Sequence, residues 1–232
     1  LILFKRKQAD ILVNYSIFAV ILLMAYLLVR FSSGNLYVQG QGLFPIMRVS
    51  LATRLINIPM IILYYLGKFF FPLNLGIAQH WVIKSPSFIN FFLPLILEIL
   101  LFLVAFIFFL KKKNKIFVLF LFWFLVGLTP HLQIIPLNMT VAERWLYFPM
   151  IGLLGMIGSI IKISIPIKSG QISKILFSFA IIIIFVLSVR SFVRTLDWRN
   201  GLSLYSRDIR KDSSFYLQNN MGVELFRIGR YE

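Results

Sequence analysis

The chain has 232 residues, of which 59% are hydrophobic and 14% charged, with a formal net charge of +16 and no cysteine. Its mean hydropathy of +0.88 exceeds what a soluble domain of this length can bury in one core. The lack of cysteine excludes disulfides and thiolate metal sites, and with two histidines we expect these residues to form no metal centre and to bind no cofactor. The composition indicates a polytopic membrane protein.

Apolar runs long enough to cross a bilayer recur along the chain, since roughly 20 apolar residues span the hydrocarbon region as a helix. In chain order the candidate spans are 11–29, 91–110, 116–135, 147–165 and 175–193, with a weaker sixth at 55–71. The chain opens on Leu1 within an apolar stretch, without Met or a signal peptide, so we expect an internal fragment. The predicted fold is all-α, a polytopic transmembrane helix bundle of five to six spans.

The basic residues are scattered among short loops instead of forming one stripe, which argues against a nucleic-acid partner. Two loops between spans carry several lysines: Lys111, Lys112, Lys113 and Lys115 in one, Lys162, Lys168 and Lys174 in or beside the other. The positive-inside rule places both loops in the cytoplasm. Residues 72–90, residues 136–146 and the tail from 195 onward are then expected on the outer side, with membrane lipid around the spans.

The segment 55–71 is open to two interpretations. Lys5, Arg6 and Lys7 also indicate a cytoplasmic position, whereas residues 72–90 are expected outside. The chain must therefore cross the membrane an odd number of times between them, and the span at 11–29 supplies one crossing. This favours an interfacial or re-entrant helix on the outer face, which suits Pro59 and Gly67. The alternative is a true span with the first segment reversed, since arginines near the first loop nearly balance its charge.

The composition changes after Arg194, where a polar segment with spaced apolar residues begins. We therefore divide the chain into a transmembrane bundle at 1–194 and an extracytoplasmic module at 195–232. The module reads as a helix, a turn at 211–214 and a second helix. In the second helix, small and apolar residues match the first helix of a tetratricopeptide repeat, although an ordinary amphipathic tail helix would show a similar spacing. The matching residues are Gly222, Leu225, Gly229 and Tyr231.

Three motifs together carry a family resemblance. They are TPHLQIIPLNMTVAERWLYFPMIG at 129–152, the arginine-rich exit with Asp197 and Trp198, and NNMGVELFRIGRYE at 219–232. In this combination the chain resembles the transmembrane and tetratricopeptide-repeat (TMTC-like) proteins, in which a polytopic half with the C-type glycosyltransferase fold precedes extracytoplasmic repeats. Where family members often show serine and asparagine, this chain has Leu132 and Gln133.

The resemblance implies an enzyme that transfers a sugar, typically mannose, from a polyprenyl-phosphate donor to protein hydroxyls on the extracytoplasmic face. The repeats would bind the protein acceptor. Abundant Ile, Lys, Phe and Asn without Cys favours a bacterial plasma membrane over the endoplasmic reticulum. The alternative function is a non-catalytic membrane anchor that presents tetratricopeptide repeats for protein binding.

A lipid-linked phosphate donor needs cationic or hydrogen-bonding groups at the headgroup level. Arg144 is the first candidate because its guanidinium offers a planar fork of donors just outside the membrane, and Arg54 is a second. Glu143 would orient Arg144 or bind a sugar hydroxyl, or else would close a helix capping box with Thr140.

His131 and Tyr147 complete the candidate donor and substrate site, although both also suit plain interfacial positions. Glu98 lies inside a span, so we expect it to face the bundle or to be protonated. It would take part in a proton relay, or else form a helix-packing hydrogen bond or snorkel toward the outer interface. The family's catalytic carboxylate belongs to the first extracytoplasmic loop, and nothing in this chain matches it. We therefore assign no catalytic residue.

Overall fold

A computed structural model of the chain describes residues 44–164, 170–212 and 214–231, together with isolated helical positions between 17 and 32. The predicted span at 11–29 lies largely outside the described residues, and the cluster Lys5–Lys7 lies wholly outside them. The chain divides into two compact units, Leu1–Gln41 and Gly42–Glu232. The second unit contains the architecture given below.

Seven helices of eight residues or more are described in the second unit. They are α1 (Leu51–Phe70), α2 (Leu93–Lys112), α3 (Lys115–Leu128), α4 (Tyr147–Ser164), α5 (Gly170–Asp197), α6 (Gly201–Asp208) and α7 (Phe215–Arg227). A single helical turn, Pro45–Arg48, precedes α1, and a π-helical turn, Phe88–Phe92, leads into α2. The described residues contain no strand beyond one isolated antiparallel bridge between Gln79 and Val141, so the all-α prediction is confirmed for this part of the chain.

Among the described residues, 3 helical stretches are long and apolar enough to cross a membrane: Phe88–Lys112, Glu143–Lys162 and Lys174–Asp197. They coincide with the predicted spans at 91–110, 147–165 and 175–193. The stretch Lys115–His131 is apolar but shorter. The described chain is thus a helical protein with three membrane-length helices.

The predicted span at 116–135 is too long at its carboxyl-terminal end. Helix α3 ends at Leu128, a 3-10 turn covers Thr129–His131, and the chain then continues without regular structure. The helix stops because Pro130 has no amide to continue its hydrogen-bond ladder, and because Gln133 adopts a positive φ of 61°. Apolar composition alone does not reveal this break, since Ile134 and Ile135 extend the hydrophobic run.

Helices α2 and α3 form a hairpin at the lysine-rich loop. Lys113 has a left-handed φ of 45°, and its amide closes α2 by donating to Phe109 O at 2.7 Å. Asn114 then caps α3, since its side chain accepts from the amides of Ile116 and Phe117. The lysines therefore lie at the opposite end of α2 and α3 from residues 71–87 and 129–146.

Helices α3 and α4 pack against each other through small residues. An added Cβ at Gly152 would lie 2.6 Å from Phe124 N and 2.7 Å from Phe120 O, both backbone atoms. At Gly155 an added Cβ would meet the Phe120 ring at 2.2 Å. Glycine at these positions lets the two backbones approach, as in small-residue contacts between membrane helices.

Helix α1 runs along a layer that we call the outer layer, formed by residues 71–87, 129–146 and 198–231. Arg54 Nη2 donates to Ile134 O at 3.3 Å, Asn57 Nδ2 donates to Ile83 O at 2.9 Å, and the Ala142 amide donates to the Tyr65 hydroxyl at 3.3 Å. Phe44, just before α1, stacks on the His80 ring with centroids 5.4 Å apart. Residues near both ends of α1 thus contact the outer layer, and the choice between an interfacial helix and a true span at 55–71 stays a prediction.

Candidate site at the outer layer

The outer layer is held together by pairing between segments distant in sequence. The Gln79 amide donates to Val141 O at 3.0 Å, and the Thr140 amide donates to Gln79 O at 2.9 Å. The Thr140 hydroxyl donates to Trp81 O at 2.6 Å. Two of the segments that the sequence places on the outer side, 72–90 and 136–146, therefore meet, and the candidate residues around 143 are fixed by this pairing.

Gln133 organises the loop before the candidate residues. Its side chain is fully buried, donates to Met139 O at 2.8 Å and to Thr140 O at 2.9 Å, and accepts from the Leu137 amide at 2.9 Å. Sequence reasoning gave Gln133 no role. The sequence did contain a signal for this role, because Gln133 lies between Pro130 and the apolar pair Ile134 and Ile135. Such a position indicates a buried side chain, and a buried amide must find hydrogen-bond partners.

Arg144, Trp145 and His131 form a stack at the surface. The His131 and Trp145 rings are nearly parallel, 10° apart, with centroids at 5.0 Å, and the Arg144 guanidinium lies 6.0 Å from the Trp145 ring centre. Arg144 is exposed, and Nη2 approaches the weak acceptor Met139 Sδ at 3.4 Å. No ion pair to Arg144 is formed within the residues that the structure describes. Its fork of donors is therefore open to an external anion.

Glu143 forms a hydrogen bond with the backbone of Gly76 and, among the described residues, no ion pair with Arg144. Its Oε1 accepts from the Gly76 amide at 2.6 Å, and Lys68 and Arg194 are its nearest cationic neighbours. Burial lowers the pKa of the Lys68 amine, and the charge of Glu143 opposes that shift. Glu143 therefore fastens residues 76–77 to the bundle.

The capping-box interpretation of Thr140 and Glu143 is wrong. The turn at Glu143–Leu146 is a 3-10 helix with Ala142 at its N-cap and no side-chain cap. The Thr140 hydroxyl goes to Trp81 O instead. The reason is tertiary, because the two side chains satisfy backbone atoms of the neighbouring segment, Gly76 N and Trp81 O.

Arg54 and Tyr147, the remaining candidates, do not join the surface stack. Arg54 is 5% exposed, and its guanidinium donates to Val49 O at 2.9 Å and to Ile134 O at 3.3 Å. It fixes the start of α1 to the loop at 129–146. Tyr147 begins α4 and is 73% exposed, which is typical of a ring in the membrane interface.

An apolar crevice lies below the outer layer, between α1, α2, α3 and α4. Its volume is about 340 Å³, and Leu66, Phe102, Phe124 and Leu153 are among its walls. Glu98 also lines it, is 5% exposed, and approaches the backbone of Leu63. The expectation that Glu98 faces the bundle therefore agrees with the structure.

The tail is joined to α5 by a buried cluster of charges. Arg194 donates to both Asp208 oxygens, at 3.0 and 2.9 Å, and to Asp197 at 3.0 Å. Asp208 also accepts from the Ile77 amide at 2.8 Å. Together with the bond from Gly76 to Glu143, these contacts fix the position of residues 76–77.

The acidic side chains of the outer layer already have donors. Glu143 binds the Gly76 amide, Asp212 binds the His80 amide, and Glu224 pairs with Arg227 at 2.7 Å, while Asp197 and Asp208 belong to the Arg194 cluster. In the part of the chain that is described, no three His, Asp or Glu side chains are grouped so that they could hold a metal ion.

No model of a known protein family, no curated protein and no solved structure matches this chain. The TMTC-like resemblance of the motifs at 129–152 and 219–232 therefore stays a hypothesis. The site is interpreted below from its own geometry.

Proposed function

We propose that the protein is a membrane-embedded glycosyltransferase that uses a polyprenyl-phosphate sugar donor and acts on protein hydroxyls at the outer face, with the TMTC-like resemblance supplying the reaction type. The fold agrees with this proposal, because its membrane-length helices lead into the polar outer layer, where a lipid-linked donor and a protein acceptor could meet. The sugar is proposed to be mannose, and the tail is proposed to begin a repeat module that receives the protein acceptor.

The proposal rests on one observation, which is that the Arg144 guanidinium is exposed and contacts no strong hydrogen-bond acceptor among the described residues. An exposed guanidinium whose nearest partners are a thioether and an indole face keeps its hydrogen-bonding capacity for a ligand. A phosphate accepts from such a fork through two parallel hydrogen bonds. The Arg144 guanidinium contacts the Trp145 ring, and the His131 ring stacks on the same indole.

The apolar crevice suits the other part of such a donor. A prenyl chain is a flexible hydrocarbon, and burying it removes apolar surface from water at roughly 25 cal/mol per Å². The walls of the crevice include α3 and α4, and the short segment that carries Arg144 leads directly into α4. A donor with its phosphate at Arg144 would have its lipid tail beside these helices.

The proposal assigns no general base within the described residues. The outer acids named above bind cations or backbone amides that hold the fold, and a carboxylate so engaged is poorly placed to take a proton from an acceptor hydroxyl. The residues of this chain would bind and orient the donor.

The test is transfer of radiolabelled sugar from a polyprenyl-phosphate donor to membrane protein by the full-length gene product. Arg144→Ala should reduce transfer by at least tenfold with the protein still folded, since a charge-assisted hydrogen bond contributes about 1.5 to 3 kcal/mol. Arg144→Lys should restore transfer in part, because the charge returns without the fork. The matched control is Arg210→Ala, which removes an exposed arginine of the tail.

Equal transfer by wild type and Arg144→Ala would contradict the donor role of Arg144. Transfer from none of the donors tried would favour the second candidate, a non-catalytic anchor that presents repeats. One observation favours that candidate. Gly229, in a left-handed conformation with φ +76°, ends α7, and Phe226 and Tyr231 beside it are 67% and 75% exposed. A following helix would cover these rings.

A further inference from the structure

A second cavity lies in the outer layer, apart from Arg144 and His131. Its volume is about 640 Å³, within the range of small-molecule sites. Three segments distant in sequence build it: the turn before α1, residues 80–81, and the start of α7. The residues that decide its chemistry are Arg48, His80, Asp212 and Ser214.

His80 is held in one orientation and keeps an unused nitrogen. Its side chain is 3% exposed, and Nδ1 lies 3.3 Å from Asp212 Oδ2, which also accepts from the His80 amide at 3.1 Å. The ring stacks on Phe44 and contacts Tyr216 with centroids 5.5 Å apart. Nε2 is buried and makes no hydrogen bond within the described part of the chain. A buried polar group without a partner costs about 1 to 3 kcal/mol, which a ligand would recover.

The start of α7 adds further unsatisfied donors to the same cavity. Ser214 is the N-cap of this 13-residue helix, yet its side chain caps no amide. Its hydroxyl is buried and, in the described residues, has no hydrogen-bond partner. Uncapped amides of a first helical turn, at the positive end of the helix dipole, favour an anion.

These groups share one preference. Asp212 Oδ2 lies against Nδ1, which leaves Nε2 as the ring nitrogen that is available to a ligand. Arg48 adds a cation, and the Ser214 hydroxyl adds a neutral donor. Trp81 and Phe215 give the cavity apolar walls beyond the polar end. The complementary ligand is an oxyanion attached to a less polar body.

We propose that the cavity between His80, Arg48 and the amino-terminal end of α7 binds a phosphate group, carried by a soluble phosphorylated small molecule or by a phospholipid headgroup. The ligand phosphate forms a hydrogen bond with His80 Nε2 and accepts from the Ser214 hydroxyl and from Arg48. The site does not depend on the proposed sugar transfer.

The test measures phosphate binding to the whole protein in neutral maltoside micelles, with histidine labelled by ¹⁵N and ionic strength held constant with chloride. His80→Gln identifies the His80 resonances by their loss. Inorganic phosphate should shift these resonances saturably in the wild type. Arg48→Gln, at an exposed position, should raise the apparent Kd about tenfold, whereas the control Arg210→Gln should leave it unchanged.

Nanodiscs distinguish the two sources of the phosphate. If the His80 resonances in phosphatidylglycerol discs are already shifted from their phosphate-free positions without added phosphate, the headgroup is the ligand. If they shift in those discs only after free phosphate is added, the ligand is soluble. His80 resonances that do not move under either condition would overturn the proposal. An equal loss of affinity in Arg48→Gln and Arg210→Gln would also overturn it, since general charge attraction would then explain the binding.

Discussion

Arg194 and Asp208 face each other in a two-point ion pair, with Nη1 3.0 Å from Oδ1 and Nη2 2.9 Å from Oδ2. The pair joins the last turn of α5 to α6, and the Asp208 side chain is 1% exposed. Because Asp208 also accepts from the Ile77 amide, one carboxylate connects three parts of the chain. The position of the whole tail depends on this contact.

Asp208→Asn should therefore destabilise the attachment of the tail. The substitution removes the charge-assisted bonds between Arg194 and Asp208 and leaves Arg194 paired with Asp197, at a cost of about 1.5 to 3 kcal/mol. We expect faster tryptic cleavage near Lys211 and a lower thermal unfolding midpoint in detergent. Glu224→Gln is the matched control, because its partner Arg227 is 67% exposed and such pairs contribute about 0 to 1 kcal/mol. Equal cleavage rates in the two variants would contradict this interpretation.

Gly152→Ala should loosen the packing of α3 against α4. The new methyl group would meet backbone atoms of Phe120 and Phe124 at 2.6 to 2.8 Å, and backbone cannot move aside without shifting a helix. We expect a thermal unfolding midpoint clearly below that of the wild type. The control is Gly158→Ala on the same helix, where an added Cβ meets nothing within 4 Å. Its midpoint should stay level or rise, since alanine is the better helix former.

Gln133→Ala should release the loop that precedes Arg144. Three hydrogen bonds would be lost and two buried carbonyls left without donors, which costs about 3 kcal/mol in total. Limited trypsinolysis should then cut faster after Arg144, with Asn219→Ala on the exposed face of α7 as the control. Cleavage at the wild-type rate would mean that the pairing of Thr140 with Gln79 alone fixes the loop.

Glu143→Gln should remain close to the wild type in stability, whereas Glu143→Ala should be less stable by about 1 to 3 kcal/mol. A glutamine carbonyl can still accept from the Gly76 amide, but alanine leaves that half-buried amide without a partner. Thermal unfolding of the two variants side by side measures the difference. If the glutamine variant fell as far as the alanine variant, the charge beside Lys68 and Arg194 would be the stabilising element.

The helices of the bundle could be predicted from the sequence because long apolar runs and the lysines that end them are local signals. Helix α2 was expected at 91–110 and is found at Leu93–Lys112. Helix α5 was expected at 175–193 and extends further at both ends, to Gly170 and Asp197. The boundary of α3 was not predictable in the same way, since the hydrophobic run continues past its end.

The geometry of the outer layer could not be predicted, because its determinants are contacts between distant residues. Glu143 binds Gly76 at a separation of 67 residues, and Asp208 binds Ile77 at a separation of 131. Each of these carboxylates satisfies a backbone amide of a segment far away in the sequence. Arg144 and His131 are candidates from the sequence, whereas their shared contact with the Trp145 ring comes only from the structure.

Helix α5 is bonded to the rest of the described chain near its outer end, through Arg190 to Pro72 O and through Arg194 to Asp208, and none of the residues from Lys174 to Val189 is buried. Held in this way, a rigid α5 would pivot near Arg194. With 28 residues it is about 42 Å long, so a tilt of about 10° would move its far end by about 7 Å. Because Arg194 is bonded to Asp208, such a tilt would also shift α6.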